Sequence, residues 1–357
     1  MQFKSITSFS IFHRGAPFPP LKFNLKLGFT RFFSTKQITP PNYLLTSQKE
    51  ALKQGGKLLR HVVYGEEREV QETLDKNPAL LYFMAQVTDY SERKIIGCPF
   101  QIALGAEDVE MCYMLIERYF RQLPHGLETA LEQFLEQFPD EEHAEIYNFK
   151  SLADTISNEI FVDDQLSHET EVALEKFRRN FLPKDVITHG KHFDIRSYLA
   201  ALETYRNKSS HKRFSWDRDP PGTWNEKQGS LFVSQVIGYL QQYLPACWAQ
   251  AYCQGLYNVA YGNKLLVRKV YLNDHTPFFL PKSALGRYAV SSYSEPDWGR
   301  MALSDSAPGG YPSSAWFSQK EALGMVDCLR RKKDDALNEL RATLKQESKK
   351  ARKNLFP

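Results

Sequence analysis

The sequence predicts a mostly α-helical protein, on three observations. First, one helix-pair pattern occurs twice, 41 residues apart. It runs from Leu59 through Val62, Val63, Gly65 and Val70 to Leu74, and again from Phe100 through Ala103, Leu104, Gly105 and Met111 to Leu115. Apolar residues match between the copies, small residues mark both turns, and acidic residues open both second helices. That is how a repeated helix–turn–helix reads. Second, apolar residues elsewhere recur at three- and four-residue spacing, as in Leu127, Ala130, Leu131, Phe134, Leu135 and Phe138. Third, residues 318–350 form one long charged stretch of helix-forming residues. Residues 256–317 are poor in helical signal and rich in Gly, Pro, Ser and Tyr. Within them, 265–272 has the composition of a strand, a small irregular or β element in a helical protein.

Taken in order, Ser47 stands three residues before Glu50, the spacing of a capping box. Gly55-Gly56 precede a short helix through Val63, which Gly65 ends. Residues 66–75 form its partner, stopped by Asn77-Pro78. A long connector, 80–93, carries Val87-Thr88-Asp89-Tyr90-Ser91. Helices are expected over 99–104, 107–122, 126–138, 141–157 and 166–181, the last closed by Pro183. His189-Gly190-Lys191-His192 marks a boundary. The next helix, 193–206, places Ile195, Tyr198, Leu199 and Leu202 on one face. Residues 208–229 are polar and read as a loop, 231–243 as a helix, and Pro245 opens another reaching Cys253. The expected organisation is a flexible basic leader (1–49), a repeat-bearing helical domain (50–188) and a helical C-terminal domain (189–357). That last domain has a loop-rich part, 208–317, and a long terminal helix.

A hydrophobic content of 42% with 13% aromatics supports a packed core and excludes wholesale disorder. The net charge of +4 hides an asymmetry. Residues 1–49 hold seven Lys/Arg and no carboxylate, 50–190 hold 14 basic and 27 acidic residues, and 191–357 hold 25 and 15. Solvated helix faces of differing sign account for this most simply. The five cysteines, an odd number without a CxxC, argue against a disulfide framework and for a reducing compartment. No apolar stretch reaches the roughly 20 residues that span a bilayer. The leader has transit-peptide composition, and Arg31-Phe32-Phe33-Ser34 looks like a processing site. Pro17, Pro19, Pro20, Pro40 and Pro41 break an amphipathic helix there, so an untargeted leader is preferred over mitochondrial targeting by 1–34.

The paired pattern resembles the ankyrin repeat. Pro99, Phe100 and Ala103 stand where that repeat has the Pro, Leu and Ala of its Thr-Pro-Leu-His-x-Ala signature, though Thr and His are absent and the period exceeds 33. A second resemblance covers about 55–340. It rests on Gly56-Lys-Leu-Leu-Arg60, Asn77-Pro-Ala-Leu-Leu81, Val87-Thr-Asp-Tyr-Ser91 and Tyr243-Leu-Pro-Ala246 with Tyr252-Cys253. These look like blocks of an uncharacterised protein family of Legionella- and Coxiella-type intracellular bacteria. The resemblance implies an ankyrin-like helical region and, for some members, export into host cells by the Dot/Icm type IV secretion system. This chain carries Glu92-Arg93 where the family has Gly-Arg, and Cys247-Trp248 where it tends to have His and Val. The family supplies no catalytic residues to carry over.

No residue pattern names a chemistry. Phosphate-binding GxxxxGK[ST] and GxGxxG are both absent, and no cofactor is expected. His189 and His192 lack a Cys or carboxylate pair at zinc spacing, so they read as a solvated polar loop, with no metal expected. Asp163-Asp164 reads as a turn or cap. Cys247 beside Trp248 reads as buried packing. A catalytic alternative places Cys253 with Asp274 and His275 in the 208–317 region of a hydrolase or transferase. Trp216, Trp224, Trp298 and Trp316 among scattered arginines read as packing before a stacking surface for nucleic acid. The basic runs 330–333 and 349–353 read as solvated helix ends before an anionic-membrane or nucleic-acid contact.

The expected function is therefore non-catalytic: a protein-interaction protein, possessing a cytoplasmic or, by the family resemblance, a secreted effector-like role with a host-cell partner. Tips of connectors between stacked helix pairs carry recognition. Asp89, Tyr90, Ser91 and Arg93 are the candidate contact residues. The competing reading has Tyr90 packed beneath the connector and Asp89 capping its turn.

Overall fold

A computed structural model describes residues 48–139, 145–161, 165–182, 185–208, 223–271, 278–279 and 319–355. The chain is mostly α-helical, with one small sheet among the described residues. Two helix pairs come first. α1 (Gln48–Val63) and α2 (Glu67–Lys76) form one, and α3 (Pro99–Gly105) and α4 (Val109–Arg118) the other. α1 runs unbroken through Gly55-Gly56, where the sequence suggests a later start. The reason is tertiary: the Phe83 ring lies where a side chain on Gly55 would stand. A short 3-10 turn, Pro78–Tyr82, leads from α2 into the sheet.

That sheet was not legible in the connector. β1 (Ala85–Thr88) and β2 (Lys94–Gly97) pair antiparallel, with Val87 opposite Ile95 and Thr88 opposite Lys94. Val87 and Ile95 face the core, whereas Gln86 and Lys94 face solvent. The outer edge of β2 is closed by Ile187, whose N–H donates to Lys94 O (2.8 Å) and whose carbonyl accepts from Ile96 N–H (2.8 Å). Of the expected strand at 265–272, residues 265–270 form no ladder, Tyr271 stands in an isolated bridge, and Leu272 lies outside the described residues.

α5 (Gly126–Gln137), α6 (Lys150–Ser157), α7 (His168–Phe181) and α8 (Ile195–Lys208) follow. Ser167 caps α7 by accepting from Thr170 N–H. α9 (Glu226–Phe232) continues through a π-helical turn, Val233–Ile237, into α10 (Gly238–Gln241), and α11 (Ala246–Gln254) and α12 (Leu256–Ala260) complete this part. α13 (Gln319–Leu355) closes the fold.

Two apolar clusters result. One joins α1–α5 and both strands. The other joins residues from Phe149 to Ala260, so α6 and α7 belong with the C-terminal helices. α13 serves both, with Met325, Val326 and Leu329 in the second cluster and Leu337, Leu340 and Leu344 in the first. The five cysteines, all among the described residues, form no disulfide. Among the described residues no helix is long and apolar enough to cross a membrane.

Candidate functional site

The candidate contact residues lie in the loop between β1 and β2. The Asp89 carboxylate holds this loop from inside: one oxygen accepts from Ser91 N–H (2.8 Å) and Arg93 N–H (3.0 Å), and the other from Arg93 Nε (2.7 Å). Both side chains are buried, and Arg93 also donates to the His192 carbonyl (2.8 Å). The Ser91 hydroxyl donates to the Gln242 carbonyl. Tyr90 is sandwiched between Tyr64 and Phe279, with ring centroids at 4.1 and 4.5 Å. The four residues thus bind this loop to the protein itself, the reading in which Tyr90 packs and Asp89 caps. The loop groups that face solvent are Glu92 and, beside it on β2, Lys94. Glu92 has φ of 62°, a left-handed conformation that favours glycine. Glu is therefore a costly choice at this position.

A second constellation lies where the turns of the two helix pairs meet α11 and α13. Both turns end their first helix alike. Gly65 and Glu107 are left-handed, and the following N–H reaches back five residues, from Glu66 to His61 O (2.9 Å) and from Asp108 to Ala103 O (2.9 Å). Glu107 takes this glycine-favouring position as a nearly inaccessible carboxylate. It pairs with Lys191 Nζ (2.5 Å) and accepts from Trp248 Nε1 (3.2 Å), and its carbonyl accepts from Lys333 Nζ (2.7 Å). Gln250, two residues further along α11, donates to the Gly65 carbonyl (3.0 Å), so α11 grips both turns.

Lys333 sits on the apolar stripe of α13, at the junction between the two clusters, rather than on a solvated helix end. Its buried Nζ lies 5.4 Å from the Trp248 ring centroid and 3.5 Å from Cys247 Sγ. Burial depresses its pKa, but the neighbouring groups outweigh that, the Asp108 and Glu107 carboxylates supplying the opposing charge that keeps the ammonium protonated. Burial pushes the Cys247 thiol up to about 12, against the pull of Lys333. A neutral thiol beside an ammonium is packing, not an activated nucleophile.

Arg268 completes the constellation from the segment after α12. It forms a two-pronged pair with Asp108 (2.7 and 3.0 Å), pairs with Glu67 (2.8 Å) and donates to Gln250 Oε1 (3.1 Å). Burial works against its charge, and Asp108 and Glu67 more than compensate, raising its pKa.

His192 is buried beneath this junction rather than solvated. Its N–H donates to Gly105 O (2.7 Å), and its ring nitrogen Nε2 stands where a Cβ on residue 105 would go, so only glycine fits there. Burial, aided by Arg93, lowers its pKa to about 3. His189 is exposed and bonds Thr188 (2.9 Å). Among the described residues no group of three or more His, Cys, Asp or Glu could hold a metal ion.

Cys253 is half-buried on α11, while Asp274, His275 and Asp163-Asp164 lie outside the described residues. Trp224 is buried against Phe232 and Tyr205, whereas Trp216, Trp298 and Trp316 lie outside the described residues. Sequence reading missed Glu107, Lys333 and Arg268, yet each left a trace. Lys333 interrupts the spacing 326, 329, 337, 340, 344, and Arg268 takes the inward phase between Leu266 and Val270. No family model, curated protein or solved structure gave a significant match to this chain.

Proposed function

We propose that this chain is a non-catalytic protein-interaction protein, ankyrin-like in its first half, whose contact element is the hairpin joining the two helix pairs. The observation that supports this most is the combination of a stiff interior with an outward polar face. Asp89 and Arg93 lock the loop from within, while Gln86, Glu92 and Lys94 face solvent, and Met84, 57% exposed, precedes the first strand. A surface already rigid before binding loses less entropy on complex formation. The partner is a protein. The resemblance to the intracellular-bacterial family makes it a host-cell protein and the chain an exported effector.

Site-specific photocrosslinking tests the reading. A benzoylphenylalanine at position 94, in the full chain expressed inside host cells, should give a discrete protein adduct. The same probe at Val172, exposed on α7, should not. The charge reversal Glu92→Lys with Lys94→Glu should remove partner capture. Equal labelling from both positions, or capture indifferent to the reversal, sinks the proposal.

A further inference from the structure

The segment after α12 is held as a bound peptide is held. Residues 264–270 form neither helix nor ladder, their side chains alternate, and Lys269 N–H closes a tight turn on Val267 O (2.6 Å). Leu266, Arg268 and Val270 turn inward, while Leu265, Val267 and Lys269 face solvent. Leu265 is 77% exposed, so the segment's placement owes little to that side chain. The main chain is read directly. A single amide, Gln254, spans two residues, donating to Leu265 O (2.8 Å) and accepting from Val267 N–H (2.7 Å). The Glu110 carboxylate accepts from the intervening Leu266 N–H (3.1 and 3.2 Å). One side chain is read with equal care, the Arg268 guanidinium, set among Asp108, Glu67 and Gln250.

Main-chain bonds at consecutive residues plus one anchoring side chain is a mode by which peptides are recognised. The socket also draws on the start of the second helix in each pair. Glu67 opens α2, and Asp108 caps α4 through Met111 N–H.

We infer that the site formed by Glu67, Asp108, Glu110, Gln250 and Gln254 is a recognition site for a peptide that bears an apolar residue two positions before an arginine and turns at that arginine. In this structure the chain's own Leu266-Val267-Arg268 occupies it. The site deepens the protein-interaction reading and rests on it, but it is separate from the hairpin. A partner peptide must displace the resident segment. That segment competes at the millimolar effective concentration typical of short tethers, so the free chain binds such peptides weakly.

The probe is a fluorescein-labelled peptide of residues 264–271, Lys-Leu-Leu-Val-Arg-Lys-Val-Tyr, titrated by anisotropy against the full chain. Arg268→Ala empties the socket and should tighten binding about tenfold or more over the unaltered protein. Replacing the peptide's arginine by citrulline, which keeps the shape and loses the charge, should abolish binding. Asp108→Asn, which still caps α4, should do the same in the Arg268→Ala background. Equal affinity of the two proteins, or equal binding of the citrulline peptide, overturns the inference. Should Arg268→Ala fail to fold, hydrogen exchange of the unaltered protein decides. Amides 266 and 267 should exchange faster in millimolar peptide, and unchanged protection overturns the inference. The hairpin variant Glu92→Lys with Lys94→Glu should bind the peptide normally. A hairpin without a partner and a cleft without a ligand are thereby told apart.

Discussion

Acidification should destabilise this protein through His192 before its carboxylates titrate. The ring is buried against Gly105, next to the Arg93 guanidinium that bonds the His192 carbonyl. Its pKa falls from the ordinary 6.5 to about 3, chiefly through burial. The folded value lies below the unfolded one, so stability is fully present above pH 6.5 and is lost as pH falls toward 3. Each pH unit in that window costs about 1.4 kcal/mol, because the unfolded chain takes up a proton that the folded one refuses. About 2 kcal/mol is therefore gone by pH 5, a large share of a typical domain's 5–15 kcal/mol. The assay is urea unfolding of the unaltered protein and of His192→Gln at pH 7, 6 and 5. Other groups titrate alike in both proteins, so the difference between the curves isolates the imidazole. The unaltered protein should lose about 2 kcal/mol more than the variant between pH 7 and pH 5. Parallel losses would refute the argument that His192 stays neutral in the folded state.

Four further outcomes follow from the same geometry. Glu92→Gly should raise stability by about 1 kcal/mol, read as a shift in urea midpoint, since an exposed left-handed residue loses its strain. Glu107→Gly relieves the same backbone strain but should lower stability by about 2 kcal/mol, because it leaves the buried Trp248 N–H without its acceptor and removes one of the two carboxylates that Lys191 pairs with. Gly105→Ala should cost about 1–3 kcal/mol by thermal melting, as the new methyl displaces the His192 ring. Lys333→Ala should cost about 3–5 kcal/mol, leaving the Glu107 carbonyl and its acidic neighbours without their buried cation.

Much of the helical scaffold was readable from local pattern. The 41-residue repeat located both helix pairs, because apolar spacing reflects which face each helix must bury. Ser167 ahead of α7 and the Gly65 turn obey rules that act within a few residues. The hairpin was not readable. Its strands are four residues each, Ile187 supplies the outer pairing from distant sequence, and the loop's left-handed position carries Glu rather than the expected Gly. The helix expected over 141–157 is shorter, and residues 140–144 lie outside the described residues. Residues 145–149 are not helical, and α6 begins at Lys150.

By itself the sequence determined a mostly helical chain, its repeated pair, its long terminal helix and the fact that Asp89 to Arg93 form a special loop. Those features depend on periodicity and turn chemistry, which are local. Only the tertiary structure decided which way that loop's side chains point. It also decided that Lys333 is buried between two cores rather than solvated, that His192 is a neutral interior ring, and that Arg268 fills a socket assembled from both helix pairs and α11. Each of these depends on charges or close contacts brought together from 75 or more residues apart. A charged residue's cost or benefit is set by the partners and water around it, and no spacing within a helix or strand carries that information.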